Sequence, residues 1–388
     1  MPTIADRLHD AVLPYGFGAF ARKYAGLLRS EHAPVSVMAQ AIFRLSLWGL
    51  AQATWALDEV ISPHWREATG LGPLFILGHQ RSGTTFLHRL LAADVTHARA
   101  LTLQEMLLPA LSFQRLVDAV DGIDRRLGRP LGSRFEALED RLLAEGDKIH
   151  RIRFEEIEED EFVLWSIFSS ILCANDAPST VAERKLDELR HFEEWPREHQ
   201  ERVLGYYRDV LKRKLYRDHD GDPTSRWIVS KNPAFSQKIP ALREVFPDAR
   251  FIYLVRNPLE AIPSRLSLFR EIWHRRFPDF EALTPAHVET VLEDSYRTYL
   301  FAERDLADVP EARKLVIRHE ELRADPSATV REIYEHFKLP PPDEALEAAL
   351  AALPQRKHAK RELVLEEFFL DEARLRGDLA PVFERYGF

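Results

Sequence analysis

The stretch FILGHQRSGTTFLHRLL, Phe75 to Leu91, decides how this chain is read. An apolar run ends at Gly78, four residues pass, Gly83 follows, and an apolar helical pattern begins. A buried strand, a glycine-bounded turn and a helix start in that order make an anion site, because backbone N–H groups and the positive helix end point the same way. The version that hydrolyses nucleoside triphosphates reads GxxxxGK[ST]. Here Thr84 stands at the lysine position. In a triphosphatase the lysine, a metal ion and a strand-end aspartate share the phosphate charge. The run FIYLV ends instead in Arg256, and Arg81 lies inside the loop. The loop therefore suits a ligand with fewer charges and no metal. Ser82 to Phe86 offer the N–H groups, Gly83 the close approach, and Thr84 and Thr85 their hydroxyls.

Outward from the loop, GPLFILGH, WIVSKNP, ARFIYLVRNP and RKLVIRHEEL read as four strands separated by helical stretches. That pattern predicts an α/β fold with a central parallel sheet flanked by helices. Residues 1–70 read as a helical amino-terminal extension and about 100–225 as a large helical insert, within one domain spanning 1–388. Three strands end in His79-Gln80-Arg81, Ser230-Lys231-Asn232 and Arg256-Asn257. Ligands of parallel sheets bind beyond the carboxyl ends of the strands, so these ends converge on one cationic site.

The bulk properties bound the rest. The 388 residues suffice for one large domain or two ordinary ones, and 45% apolar content supports a sizeable core. A net charge of −9 argues against general nucleic-acid binding, so a basic site must be local. The single cysteine, Cys173, allows no intrachain disulfide and fits a reducing compartment. The start MPTIADRLHDAVLPYGFG lacks a signal-peptide pattern, so the expected setting is the cytoplasm. The apolar segment Leu45 to Leu57 is too short to span a bilayer; it reads as a half-buried helix, with contact to a greasy substrate or a membrane surface left open.

Two motifs in the right order resemble the sulfotransferases that use 3′-phosphoadenosine-5′-phosphosulfate (PAPS). GHQRSGTTFLHRLL is similar to their 5′-phosphosulfate loop. FIYLVRNPLEAIPSRLSL is similar to their 3′-phosphate motif, with Arg256 ending a strand and Ser264 eight residues later. KNPAFSQKIPALREVFPDA and VIRHEELRADPSATVREIYEHF resemble the bacterial branch, and the likeness covers roughly residues 70–375. The resemblance implies a P-loop-like three-layer fold, a sulfuryl donor and no metal. It makes Arg81 and Lys231 the groups that meet charge on the departing oxygen, and Arg256 with Ser264 the holders of the 3′-phosphate. QRKHAKREL resembles a segment that closes over that phosphate, which makes Arg356 and Lys357 donor contacts.

For the base, the resemblance points to a glutamate after the loop's helix and before a proline. TLQEMLLP places Glu105 there, flanked by Leu103, Met106, Leu107 and Leu108, with His97 and His150 as alternatives. The acidic run FEEIEEDEF, Phe154 to Phe162, reads as the solvated face of a helix, or as an acidic helix at the acceptor mouth. The expected acceptor is a small apolar alcohol, phenol or lipid, or an amine. Two rivals stay open: a metal-dependent P-loop kinase, which requires tight ATP–magnesium binding, and a non-catalytic nucleotide-binding scaffold, which tolerates loss of Glu105.

Overall fold

The sheet is built from short runs that are apolar on both faces. In the computed structural model, which describes residues 34–68, 72–143, 152–175, 187–218, 226–276, 283–353 and 364–388 with three isolated positions before them, β1 (Leu74–Gly78) is buried along its whole length. Side chains alternate across a strand. Phe75 and Leu77 enter one core while Leu74 and Ile76 enter another. Both faces of the sheet are therefore covered, as continuous apolar strands require.

Before β1 runs α1 (Pro34–Ile61); after it come α2 (Thr84–Leu91), β2 (Ala98–Arg99), α3 (Leu103–Leu107), α4 (Leu111–Arg126), α5 (Pro130–Leu143) and α6 (Glu161–Ser166). The long α7 (Arg197–Arg217) leads to β3 (Trp227–Lys231) and then β4 (Arg250–Val255). Next come α8 (Pro258–Arg276), α9 (Pro285–Ala307), β5 (Lys314–Arg318), α10 (His319–Ala324) and α11 (Pro326–His336). The strand order is β2-β3-β1-β4-β5, all parallel. This is the expected three-layer α/β fold. One face packs on α7 and α9, with Leu204, Tyr207, Val288 and Leu292 in the shared core. The other packs on α2 and α11 through Leu87, Leu91, Val330 and Ile333.

The register sets the site. Ile76 lies opposite Lys231, and Gly78 opposite Leu254. The ends of β1, β3 and β4 are thus adjacent, with β1 in the middle, where the chain order turns outward in both directions. The segment Leu45–Leu57 lies within α1, with Ala51 and Trp55 buried and Leu50 and Leu57 exposed. The expected helices before Pro34, and His150, Arg356 and Lys357, lie outside the described residues.

Candidate active site at the carboxyl edge of the sheet

The two loop glycines do different work. A Cβ on Gly78 would collide with the carbonyl oxygen of Leu254, so the first glycine lets β1 approach β4. Gly83 has φ 90°, a left-handed conformation, and directly precedes α2 without a side-chain cap. A Cβ there would stand 3.2 Å from the His319 ring. Arg81 also has positive φ, 73°, which is uncommon outside glycine. Thr84 is buried, Thr85 half-buried and Phe86 exposed. The first N–H groups of α2 therefore open toward the ligand side of the sheet, as an uncapped helix start leaves them.

Behind the loop, His79 is stacked on Tyr299 with ring centroids 5.0 Å apart. Burial, with Arg265 nearby, lowers its pKa to about 3, so the ring is neutral. Its Nδ1 lies 2.6 Å from the Gln80 carbonyl, which can only accept, so that nitrogen carries the proton. Nε2 then accepts from Ser295, 3.0 Å away. This fixes the residue that launches the turn.

Two guanidinium groups meet above the loop. Arg256 leaves the end of β4 and donates to the Arg81 carbonyl at 2.6 Å. Arg81 donates through Nε to Ser264 Oγ at 3.2 Å. Desolvation and the neighbouring Arg256 charge lower the Arg81 guanidinium below its usual range. Glu260 accepts from Arg256 at 3.2 Å. His319, at the start of α10, is held neutral, near a pKa of about 4, by burial and by Arg256. Two neighbouring cations with one carboxylate paired to Arg256 form a surplus that an anion relieves.

Lys231 ends β3 with its side chain 3% exposed and its ammonium 3.1 Å from Glu159 Oε2. The acidic run around Glu159 is not the solvated helix face expected from the sequence. Residues 154–160 form turns and a bridge between Ile157 and Thr102. Leu103 N–H donates to the Glu156 carbonyl, and Gln104 N–H to that of Phe154. Glu158, Asp160 and Glu161 are buried. They are buried because partners await them at the end of β3. Asn232 donates to Glu161 at 2.7 Å, the Asp160 N–H to the Lys231 carbonyl at 3.0 Å, and Tyr207 to Asp160. Burial raises Asp160 to a pKa of about 7, against the opposing hydrogen bonds from Tyr207 and Ser230. His88, on the inner face of α2, is kept neutral, with a pKa of about 3, by burial and by Lys231.

Glu105 does not join this group. It is the third residue of α3, where its Oε2 accepts the Thr102 N–H at 2.9 Å while Thr102 Oγ caps its own N–H. Its Oε1 accepts from Lys214 at 2.7 Å and Arg217 at 2.6 Å. The apolar surroundings expected from its neighbours in sequence are thus replaced by two cations. Tyr207, which reaches Ser230 near the end of β3, lies seven residues before Lys214 on α7. Seven helical residues span about 10 Å. Asp218, just beyond α7, pairs with Arg99, which aligns with Ile228 near the start of β3. Glu105 is therefore tied to α7 rather than to the strand-end cations, while Thr102 beside it bridges to the acidic segment. His97 lies at the start of β3: its Nδ1 is 3.0 Å from Asp94 and its carbonyl accepts from Trp227 N–H.

The structure therefore gathers Arg81, Ser82, Gly83, Thr84, Thr85, Arg256 and Ser264 at one edge with Lys231, and adds Glu159, Tyr207, His88 and His319, which the sequence reading did not assign. A central parallel sheet with a glycine loop and neighbouring cations at its carboxyl edge defines the class: an α/β protein with a cationic rim suited to an anion. Residues 73–343 match the Sulfotransferase family, and the chain belongs to it. It is 29% identical over 290 residues to omega-hydroxy-beta-dihydromenaquinone-9 sulfotransferase Stf3 of Mycobacterium bovis and of Mycobacterium tuberculosis. That match takes in 69% of this chain and 63% of those relatives' length. The fold is similar to that of the crystal structure of sulfotransferase STF1 from Mycobacterium tuberculosis, with TM-score 0.70, 21% identity, and coverage of 98% of this chain and 93% of that one. It is similar also to STF9 from Mycobacterium avium, with TM-score 0.73, 21% identity, and coverage of 99% and 93%.

Proposed function

We propose that this protein transfers a sulfuryl group from PAPS to a hydroxyl of an apolar, lipid-like acceptor. The observation that carries the reading is the meeting of Arg81 and Arg256 over an uncapped helix start, beside a glycine whose missing side chain leaves room. The loop N–H groups from Ser82 to Phe86 and the hydroxyls of Thr84 and Thr85 would hold the donor's 5′ end. Arg256 and Ser264 would hold the 3′-phosphate, the arginine by a two-pronged contact. Arg356 and Lys357 belong to the same reading as further donor contacts. Arg81 and Lys231 would meet the charge that builds on the bridging oxygen as sulfur leaves it.

Three observations support an apolar acceptor. The curated relatives are named for a menaquinone acceptor. Leu116, Val120 and Ile123 stand exposed along one side of α4, with Leu127 exposed just past its end, spaced as one helical face. α1, packed on α4, exposes Leu50 and Leu57. No helix among the described residues is long and apolar enough to cross a membrane. The reading places the reaction in the cytoplasm, in keeping with a single cysteine, Cys173, which is buried against Arg44.

Thermal denaturation with adenosine 3′,5′-bisphosphate in EDTA tests the donor site. A ligand that binds only the folded state raises stability by about 2.7 kcal/mol at a hundred times its dissociation constant. The expected outcome is a rise in Tm with the bisphosphate and without magnesium. A response confined to ATP with magnesium would point to a kinase instead.

A further inference from the structure

We propose that Glu159 is the group that removes the proton from the acceptor hydroxyl, and that the acidic segment around it exists to hold it at the end of β3. The proposal rests on the sulfotransferase reading above and deepens it. Sulfuryl transfer forms a bond between the acceptor oxygen and sulfur and breaks the bond between sulfur and the bridging oxygen of the donor. The electron pair of the broken bond stays on the bisphosphate, where Arg81 and Lys231 meet it. The acceptor's proton needs a carboxylate or imidazole within reach of the same sulfur.

Of the carboxylates that approach the strand ends from the acidic segment, three are closed off from an acceptor by burial. Asp160 accepts from Tyr207. Glu161 accepts from Asn232 at 2.7 Å and from the Ile171 N–H at 3.1 Å. Glu158 is 2% exposed, and it accepts the Glu159 N–H. Glu159 differs from them. Its side chain is 17% exposed, and only Oε2 is engaged, by Lys231 at 3.1 Å. Among the described residues Oε1 has no hydrogen-bond partner, which leaves that oxygen for an acceptor hydroxyl. The nearby histidines do not compete: His79 points both ring nitrogens at Gln80 and Ser295, and His88 is buried beneath Lys231.

The position of Glu159 is fixed from four sides. The Asp160 N–H holds the backbone to the Lys231 carbonyl, Asn232 holds Glu161, and Tyr207 donates to Asp160 while its oxygen lies 2.9 Å from the Ser230 hydroxyl. On the amino-terminal side the Glu158 N–H reaches the Leu101 carbonyl. A base positioned in this way acts through geometry, which general-base catalysis demands before anything else. Lys231 is the shared element. It belongs to the donor side through the register with β1 and touches Glu159 directly, so acceptor oxygen and leaving oxygen meet on its two sides.

The test compares Glu159→Gln with Glu105→Gln and Glu159→Asp in the full-length protein. Sulfuryl transfer from labelled PAPS is followed to 1-dodecanol and to 4-nitrophenol, and slow donor hydrolysis is followed with water as acceptor. Binding of adenosine 3′,5′-bisphosphate is measured by calorimetry on each variant. Glu159→Gln should bind the bisphosphate within about two-fold of wild type and lose roughly 10²–10⁴-fold in turnover with 1-dodecanol and water. The loss should shrink with 4-nitrophenol, which gives up its proton without help. Glu159→Asp should recover part of the activity, because the carboxylate remains. Glu105→Gln should lower thermal stability and keep turnover at low temperature. A Glu159→Gln protein that turns over 1-dodecanol within a few-fold of wild type overturns the proposal. So does a Glu105→Gln protein that binds the bisphosphate normally and loses turnover alone. Wild-type protein that fails to bind the bisphosphate overturns the parent reading, and that result is seen before any variant is made.

Discussion

The carboxyl end of α7 and its middle hold buried charge in different ways. Toward its carboxyl end, Arg213 is 1% exposed and lies 3.4 and 3.7 Å from the rings of Trp55 and Trp65. It pairs with Asp58 at 3.0 Å and Glu59 at 3.1 Å. Asp58 also accepts the N–H groups of Leu111 and Ser112, both at 2.7 Å, and so holds α4 against α1. On the same stretch of helix, Lys214 and Arg217 close on Glu105. There each charge finds an opposite charge or a ring, and the elements joined are α1, α3, α4 and α7. Near the middle of α7, Tyr207 reaches into the acidic segment and the end of β3. Beyond it Lys231 leaves one oxygen of Glu159 open, and Arg81 stands against Arg256. Charges that cancel bind the chain to itself, whereas charges left in surplus along a rim wait for a ligand. The contrast sets a buried glutamate held by two cations, Glu105, against a partly exposed one held by a single cation, Glu159.

The largest expected effect breaks the closed end. Arg213→Met leaves Asp58 and Glu59 buried without their shared cation. Removing one partner of a buried pair costs about 3–5 kcal/mol. Urea denaturation should show that loss, while binding of adenosine 3′,5′-bisphosphate at low temperature should stay within about two-fold of wild type. A loss below about 1 kcal/mol would mean that water reaches the cluster and that the two regions differ less than the burial of Arg213 implies.

The closed and open regions also differ in how far each was legible. The apolar runs Phe75–Leu77 and Phe251–Val255 announce buried parallel strands, because neither shows a polar face. The two-residue β2 has no such signature; it exists only because Ala98 and Arg99 find β3. The loop and its cations were legible because glycine spacing and strand-end arginines are local features. The acidic segment was misread because its partners are distant: Tyr207 lies 47 residues from Asp160, and Lys231 lies 72 from Glu159. With no partner in view, six carboxylates read as a solvated face. For Glu105 a local signal did exist. Thr-Leu-Gln-Glu ahead of an apolar run is a capping-box pattern, and the structure uses it as one.

A smaller effect sharpens the open end. On the proposed reading, Arg256→Ala should remove a charge-assisted contact to a phosphate, worth about 1.5–3 kcal/mol, or roughly ten- to hundred-fold in the Kd of adenosine 3′,5′-bisphosphate. The unliganded protein should not pay in stability, since the change also separates Arg81 from a like charge. Its urea midpoint should stay within about 0.5 kcal/mol of wild type or rise. The opposite pattern, normal affinity with a large stability loss, would make Arg256 a member of the self-cancelling kind.

The smallest effect concerns the boundary between the two regions, where Asp160 meets Tyr207. Burial raises the Asp160 pKa to about 7, above its ordinary value of 3.8. Between those two values the folded protein therefore holds a proton that the unfolded chain has released. Stability falls with rising pH wherever the native state binds more protons, so Asp160 makes the fold lose stability from about pH 4 to pH 7 and adds no further slope above. His79 and His88 act in the other sense. Each is neutral in the fold down to a pKa of about 3, so their contribution is intact above pH 6.5 and is lost as the pH falls below it. Asp160→Asn keeps an oxygen that accepts from Tyr207 and removes only the first of these slopes. The difference in Tm between variant and wild type should climb between pH 4 and pH 7 and level off by pH 8. Thermal scans in matched buffers read it directly, because the histidine contributions cancel in the difference. A difference that stays flat across that range would show Asp160 ionised throughout, with the hydrogen bonds from Tyr207 and Ser230 and the Lys231 charge outweighing burial.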